Sequence, residues 1–398
     1  MIEYRRSYGF LEGGMDLLIF DKIENDPCIQ GVMEKNNLDV LKGIIEFSDT
    51  EGVTDSAIRE YVATLLMNDD NILSRLARAG KSIGDDLYRI ALMDIEQIYK
   101  KLFAIQIKYS PSGNDTGFCD AYIDSVRAIT DAKSAKELLE LLIRHYRTLG
   151  SGVLSKYIAF KYDGTLTGVS AVDAITFDDL VGIEHQKRTI IDNTKAFLDG
   201  KAANNVLLFG DRGTGKSSSV KSLINMFANE GLRMIEMPKS CIKDIPNLSK
   251  TLAASPNKYI IFLDDLTLDP EEPEFKALKI AMEGQLQARA ENVLIYATSN
   301  RRHLVRENWS DREGSEVHVN DHIQETLSLS ERFGISLVFS APTQKEYLNI
   351  VSEMLKKHDI EMNADIEKQA VVWEMNYGGK SARCAKQFVT SYISRKED

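Results

Sequence analysis

The sequence predicts an α/β fold, in which a five-stranded parallel sheet carries helices on both faces between a mainly helical domain and a helical lid. Three observations support this architecture. Apolar segments of strand length alternate with helical segments over residues 177–341, which is typical of a parallel sheet. Helical periodicity dominates residues 1–148 and returns in residues 342–398. Residues 149–176, punctuated by glycines, are interpreted as a linker with short strands.

The N-terminal part carries the periodicity of amphipathic helices. In its clearest stretch, apolar residues recur at steps of three and four and so share one helix face: Leu87, Ala91, Ile95, Ile98, Leu102 and Ile105. Such a stripe indicates a packed helical core. We find no catalytic motif in this part, and we expect it to bind an unknown protein partner.

The predicted sheet and lid follow from short apolar runs and from helical segments. The strand candidates are residues 206–209, 233–237, 259–263, 293–297 and 335–339. After Pro342 the strands stop, and the lid helices are predicted at residues 343–357, 364–376 and 380–394.

Length, charge and cysteine content limit the possible functions. The chain has 398 residues, a net charge of -11 and four widely spaced cysteines. We therefore expect more than one domain, no broad electrostatic grip on nucleic acid, and neither a disulfide framework nor a zinc site. The N terminus lacks the apolar stretch of a signal peptide, and no apolar run reaches bilayer-spanning length. The expected location is the cytoplasm, without a membrane partner.

A phosphate-binding loop is the most specific motif. Residues 210–217 read GDRGTGKS and match the pattern G-x-x-x-x-G-K-S/T between a strand candidate and a helical segment. Glycines let the backbone N–H groups wrap an anion, Lys216 can reach phosphate oxygens, and the Ser217 hydroxyl can ligate Mg²⁺. The sequence therefore predicts a nucleoside triphosphate site with Mg²⁺. The candidate binding residues of this loop are Gly210, Asp211, Arg212, Gly213, Thr214, Gly215, Lys216, Ser217 and Ser218.

Polar side chains follow the third and fourth strand candidates. Asp264 and Asp265 come directly after residues 259–263, and Asn300 follows residues 293–297. Asp264 is the candidate metal ligand, directly or through water, and Asp265 is the candidate for orienting or deprotonating the attacking water. Asn300 is a candidate for hydrogen bonding to the γ-phosphate or to that water. Asp and Asn also open turns, so a purely structural role stays open for these residues.

The order of these motifs resembles that of the AAA+ ATPases. Three further segments carry the resemblance: residues 177–182 (FDDLVG), 330–334 (SERFG) and 378–383 (GGKSAR). Within this superfamily, the chain is similar to a bacterial group of ATP-binding proteins of unknown function. The resemblance covers about residues 177–395 and carries no substrate with it.

The resemblance implies roles for further residues. It implies ATP as the nucleotide, with Val181 and Gly182 in the segment that packs near the adenine. Arg332 would reach into the site of a neighbouring subunit and stabilise charge on the γ-phosphate, which requires a homo-oligomer. Arg383 would contact the γ-phosphate from the lid of the same chain. A surface ion pair is the structural alternative for either arginine.

Two positions depart from the family pattern. Asp265 stands where glutamate is usual, and its side chain is one methylene shorter, so we expect slow hydrolysis. Ala382 stands where glycine is expected. In addition, Arg301 and Arg302 follow Asn300 directly and are an alternative source of the contact from a neighbouring subunit.

These observations predict a Mg²⁺-dependent ATPase that couples nucleotide state to remodelling or binding of an unknown partner. One alternative is a nucleotide-gated binding switch with little turnover, which Asp265 favours. Another is a loader acting on DNA or on a DNA-bound protein, against which the acidic charge weighs. The charged segment 301–331 is long for a loop and is either a functional element or an irregular surface excursion.

Overall fold

The computed structural model describes residues 15–34, 36–51, 57–105, 117–268, 272–283, 290–300, 332–377 and 379–397. The candidates Arg301 and Arg302, together with Ser330, Glu331 and Gly378, lie outside the described residues. The chain divides into two compact units. Unit 1 comprises the described residues up to Phe160 with 167–172 and 253–257, and unit 2 comprises 161–166, 173–252 and 258 onward.

Unit 1 is built from helices. After a 3₁₀ turn at Asp21–Asn25, they are α1 (Pro27–Glu34), α2 (Asn37–Glu51), α3 (Ala57–Asn68), α4 (Ile72–Arg78), α5 (Asp85–Leu102), α6 (Asp120–Thr130), α7 (Ala135–Thr148) and α8 (Val153–Lys156). The predicted stripe lies on α5, where Ala91, Ile95, Ile98 and Leu102 are fully buried. These residues join one hydrophobic cluster that runs through the unit. The stripe is therefore core, as its spacing predicts.

One charged side chain interrupts that stripe. Asp94 on α5 is 1% exposed, and its carboxylate accepts backbone N–H groups from Leu18, Ile19 and Phe20 at 2.7–3.2 Å. Hydrogen bonds from several amides satisfy a buried carboxylate that would otherwise be costly. Asp94 thus anchors the segment that precedes the first helix of unit 1.

The sheet of unit 2 is built on five parallel strands. They are β3 (Val206–Gly210), β4 (Leu232–Glu236), β5 (Lys258–Leu263), β6 (Val293–Ser299) and β7 (Ile335–Phe339), in the spatial order β4-β5-β6-β3-β7. β3 lies between β6 and β7, while β4, the strand that follows it in sequence, lies three positions away, beyond β6 and β5. Such a change of direction opens a crevice at the carboxyl end of the sheet.

The predicted count of five strands is too low. β1 (Ala159–Tyr162) and β2 (Leu166–Gly168) extend the sheet beyond β4, giving seven strands in the described chain. These two strands come from the segment interpreted as a linker. An edge strand offers unpaired backbone groups, and a short hairpin can satisfy them without the long apolar run that marks a buried strand.

Helices cover the sheet, and three further helices occupy the C-terminal segment that the sequence predicts as a lid, a name that we keep for them. The helices of the sheet region are α9 (Glu184–Leu198), α10 (Lys216–Phe227), α11 (Ile245–Ala253) and α12 (Pro273–Glu283). The lid helices are α13 (Gln344–Lys356), α14 (Ala364–Asn376) and α15 (Ala382–Glu397). A capping box between Thr343 and Glu346 starts α13. The three lid helices share a small core that includes Tyr347, Val351 and Phe388.

Among the helices that the structure describes, we find no segment with the length and apolar character needed to cross a membrane.

Candidate nucleotide-binding site

The phosphate loop connects β3 to α10 through three glycines with positive φ. The φ angles are 131° at Gly210, 74° at Gly213 and 98° at Gly215, the residue before the first turn of α10. Residues with a Cβ rarely adopt such angles. The loop therefore brings its backbone to the N terminus of a helix, where free N–H groups and the helix dipole attract an anion.

The base of the loop is tied to β7. Asp211 N donates to Phe339 O at 2.8 Å, and the Asp211 carboxylate accepts Ala341 N at 2.7 Å. The Thr214 hydroxyl, in turn, donates to Asp211 O at 2.8 Å. These bonds indicate that Asp211 and Thr214 stabilise the conformation of the loop.

Lys216 folds back onto the loop that it follows. Its Nζ donates to Gly210 O at 3.0 Å and to Asp211 O at 2.6 Å, and the residue is 6% exposed. Burial lowers the pKa of the Lys216 ammonium, an effect that the nearby carboxylate of Asp211 opposes. Two carbonyl oxygens thus hold the cation in place, and phosphate oxygens could replace them as acceptors.

The two predicted metal-binding residues meet at the end of β5. Ser217 Oγ donates to Asp264 Oδ1 at 2.6 Å, and the same carboxylate oxygen accepts the Thr298 hydroxyl at 2.5 Å. A hydroxyl and a carboxylate oxygen are ligands that Mg²⁺ accepts in phosphate sites. This pair therefore fits the ion that the sequence predicts.

Asp265 and Asn300 also come together. Asn300 Nδ2 donates to Asp265 Oδ1 at 2.5 Å. Asp265 has a φ of 49°, in the left-handed region that only glycine, asparagine and aspartate visit routinely. Asn300, which follows β6, thus holds the carboxylate of Asp265.

A cleft of about 1100 Å³ brings the loop, the strand ends and the lid together. The lining includes Arg212, Gly213, Gly215, Lys216, Ser217 and Ser218 of the loop, and Asp264, Asp265, Asn300 and Arg383 among the other predicted residues. The lid also touches the loop directly, because Arg383 N donates to Gly213 O at 3.2 Å.

Six predicted residues are not in the lining of this cleft. Three of them, Gly210, Asp211 and Thr214, belong to the phosphate loop, and the other three lie outside that loop. Val181 packs against the lid core, and Gly182 follows it with a φ of 84°. Their neighbours Asp179 and Leu180 line the cleft instead. Arg332 precedes β7, whose residue Ile335 pairs with Val206 at the start of β3. It therefore lies at the amino edge of the sheet, a strand length of roughly 13 Å from the loop.

Sequence reasoning missed other residues of the cleft. Thr298 carries no motif, and its hydrogen bonds to Asp264 and to the backbone of Asp265 identify it. On α15, cleft-lining residues recur at steps of three and four, which a helical plot of the lid would have detected: Arg383, Lys386, Thr390 and Ser394. Met354 and His358 also line the cleft from the lid.

An ion pair joins the lid to the segment before α9. Lys357 Nζ lies 2.6 Å from Asp179 Oδ1 and donates to Asp178 O at 3.0 Å. The hydrogen bond from Lys357 and a second one from Thr176 N hold the pKa of Asp179 down to about 2. The two charged side chains are 43% and 44% exposed, so solvent screens the attraction.

We expect Asp179→Asn to lower the free energy of unfolding by about 0.5 kcal/mol at neutral pH, the range of an exposed pair. Because the folded pKa lies below the unfolded value, the stabilisation is present above about pH 4 and is lost as the pH falls toward 2. Urea unfolding at several pH values checks this, with Asp178→Asn as the matched control. An equal difference at pH 7 and pH 3 would contradict it.

The fold and the site together define the class of this protein: a P-loop nucleotide-binding protein of the AAA+ type. The chain belongs to the family described as "Protein of unknown function (DUF815)", whose profile matches residues 155–396. The predicted resemblance to AAA+ proteins of unknown function is thereby confirmed. A comparison with curated proteins finds no match.

Solved structures show distant likenesses. One is a mutant of RuvB from Thermotoga maritima, with 16% identity over 55% of this chain and 64% of that chain and a TM-score of 0.36. Another is Orc1 from Aeropyrum pernix in complex with DNA, with 17% identity over 55% of this chain and 62% of that chain and a TM-score of 0.38. The chain thus spans less than two thirds of the length of either structure.

Proposed function

We propose that this protein binds ATP with Mg²⁺, hydrolyses it, and couples its nucleotide state to the binding or remodelling of a partner. One observation carries the proposal. Ser217 at the start of α10 and Asp264 at the end of β5 are joined by a 2.6 Å hydrogen bond, beside the acid Asp265. Phosphate loop, metal-binding pair and acid are the parts that phosphoryl transfer to water requires.

Each residue has a role in the proposed reaction. Ser217 and Asp264 would hold Mg²⁺, which supplies charge neutralisation at the β- and γ-phosphates. Lys216 would exchange its two carbonyl acceptors for phosphate oxygens. Asp265 would accept a proton from water as the water oxygen bonds to the γ-phosphorus and the bond to the β-phosphate oxygen breaks. Asn300 would keep the Asp265 carboxylate aimed at that water.

The lid would report the state of the nucleotide. Arg383 lies on the cleft, and its backbone is bonded to the phosphate loop. Its guanidinium would contact the γ-phosphate from the same chain, so that loss of this phosphate releases one contact between lid and loop. A change in lid position is the proposed signal to the partner.

We also propose a homo-oligomer in which Arg332 acts in the site of a neighbouring subunit. The position of Arg332 at the amino edge of the sheet supports this role, because the residue is remote from the phosphate loop of its own chain. Unit 1, which carries a helical core and no sequence motif of catalysis, is the proposed binding site for a protein partner.

Asp265→Asn tests the proposed chemistry. We expect the variant to bind ATP while kcat falls by about 10²–10⁴-fold, the usual effect of a positioned general base. Hydrolysis and nucleotide affinity are measured in parallel with and without Mg²⁺. Asp359→Asn is a matched control, because Asp359 is an exposed aspartate that also has positive φ, 57°. Lys216→Ala provides the binding-deficient reference, with Lys221→Ala as its control on the same helix.

Two results would contradict the proposal. Equal rates of ATP hydrolysis in wild type and Asp265→Asn would show that Asp265 takes no part in the reaction. If the wild type bound ATP tightly but did not hydrolyse it at any protein concentration, the proposed hydrolytic activity would be contradicted.

A nucleotide-gated switch is the second candidate function. The short Asp265 side chain favours it, since this side chain is one methylene shorter than the usual glutamate and its Oδ1 already accepts Asn300 Nδ2 at 2.5 Å. In a switch, ATP alters partner binding without being consumed. The same pair of measurements therefore separates the two functions.

A further inference from the structure

Thr298 lies behind the acidic pair and is almost completely buried. It is the penultimate residue of β6 and is 1% exposed. Its hydroxyl donates to Asp264 Oδ1 at 2.5 Å and accepts Asp265 N at 2.9 Å. Its carbonyl oxygen accepts Leu266 N at 2.7 Å. One residue of β6 thus holds three consecutive residues at the end of β5.

The bond to Asp264 determines how that carboxylate is presented. Oδ1 of Asp264 accepts three donors: the hydroxyls of Ser217 and Thr298 and the backbone N–H of Asp265, the last at 3.1 Å. In the described part of the chain, no donor lies within hydrogen-bond distance of Oδ2. The described residues therefore occupy Oδ1 and leave Oδ2 available to a cation.

The bond from Asp265 N supports an unfavourable backbone conformation. The φ of 49° at Asp265 costs conformational free energy and persists only where the surroundings hold it. The Thr298 hydroxyl accepts the N–H of this same residue, and Asn300 Nδ2 holds its carboxylate. The direction of the Asp265 side chain thus depends on a bond that Thr298 makes.

We propose that Thr298 is a positioning residue for both acids. Its single hydroxyl orients the carboxylate of Asp264 for the metal and fixes the turn that aims Asp265 at the attacking water. The role rests on the proposed function, because it acts through Asp264 and Asp265. This positioning role requires a hydroxyl group at residue 298. A threonine that only filled space would not need its hydroxyl.

The test compares Thr298→Val, which keeps the shape and removes the hydroxyl, with Thr298→Ser, which keeps the hydroxyl. We expect the valine variant to lower affinity for Mg²⁺, or kcat, by about 10–100-fold, as the loss of a residue that orients a metal ligand does. The serine variant should stay within about threefold of wild type in both quantities. Affinity for ATP in EDTA should be unchanged in both variants, because neither change touches the phosphate loop.

Mn²⁺ is the probe that separates this proposal from the proposed hydrolysis. Its binding to the protein with ADP is followed by electron paramagnetic resonance, which needs no turnover. If the wild type binds Mn²⁺ but does not hydrolyse ATP, only the proposal of hydrolysis is overturned. Weaker Mn²⁺ binding by the valine variant would then still support the role of Thr298.

Thermal unfolding and circular dichroism establish that both variants are folded. A valine variant that melts at a lower temperature but keeps wild-type metal affinity and kcat would show a structural residue and overturn the proposal. A wild type that binds no metal with the nucleotide would overturn both proposals together.

Discussion

Arg332→Ala is expected to lower the rate of ATP hydrolysis per subunit by about 10³–10⁵-fold, the effect of removing an arginine that stabilises charge on the γ-phosphate. Nucleotide affinity should change little, because Arg332 does not line the cleft of its own chain. The wild-type rate per subunit should rise with protein concentration, since the complete site needs two subunits. Steady-state hydrolysis across a concentration series measures both effects.

Mixing two inactive variants gives the sharpest test of this assignment. Arg332→Ala keeps its phosphate loop, and Lys216→Ala keeps its Arg332, so a mixed oligomer contains some complete sites. Recovery of activity on mixing is expected if Arg332 acts between subunits. Mixed subunits that stay inactive, or a variant that hydrolyses normally, would contradict it. In the second case the double variant Arg301→Ala, Arg302→Ala tests the alternative source of the contact.

Gly210→Ala is expected to destabilise unit 2 by about 3 kcal/mol or more, through overpacking and a disallowed backbone angle. A Cβ at this position would lie 2.1 Å from Phe339 O and 2.8 Å from Phe339 C. The neighbour is backbone of β7, so no side-chain rotation relieves the clash. Because the φ of Gly210 is 131°, alanine is strained even without this contact.

Thermal unfolding measures this effect, and Gly200→Ala is the matched control. Gly200 also has positive φ, 72°, but a Cβ there would meet no atom within 4 Å. We expect the control to cost about 1–2 kcal/mol, the strain of the backbone angle alone. Similar melting temperatures for the two variants would mean that β7 moves aside, and would contradict the expected clash.

Several site residues can be predicted from the sequence because their chemistry requires particular residue types within a few positions of one another. The phosphate loop needs glycines, lysine and serine at fixed spacing, so Lys216 and Ser217 are recognisable without a structure. Asp264, Asp265 and Asn300 follow apolar runs, and parallel strands end at one edge of a sheet. Hydrogen bonds join Asn300 to Asp265 and Ser217 to Asp264 at this edge, and the roles of these residues stay predictions.

The remaining parts of the fold and site depend on pairings that leave no local pattern. Short strands are predicted within the linker, but the addition of β1 and β2 to the sheet is not, because an edge strand needs no long apolar run. Asp94 interrupts an apolar stripe, and only the three amides it binds explain its burial. Thr298 is one of many threonines with a high preference for strands, and nothing in its sequence context marks its hydroxyl.

From residue patterns alone we infer the class of protein, the positions of five parallel strands along the chain, and candidate residues for binding a phosphate and a cation. These features rest on periodicity and on motifs within a few residues, where backbone geometry and side-chain chemistry act locally. Three relations become visible only in the folded chain: Thr298 holds Asp264 and Asp265, the lid contacts the phosphate loop, and Arg332 lies at the amino edge of the sheet. The residues involved lie far apart in the sequence, and they meet because the strands pair in parallel and the lid packs against the phosphate loop.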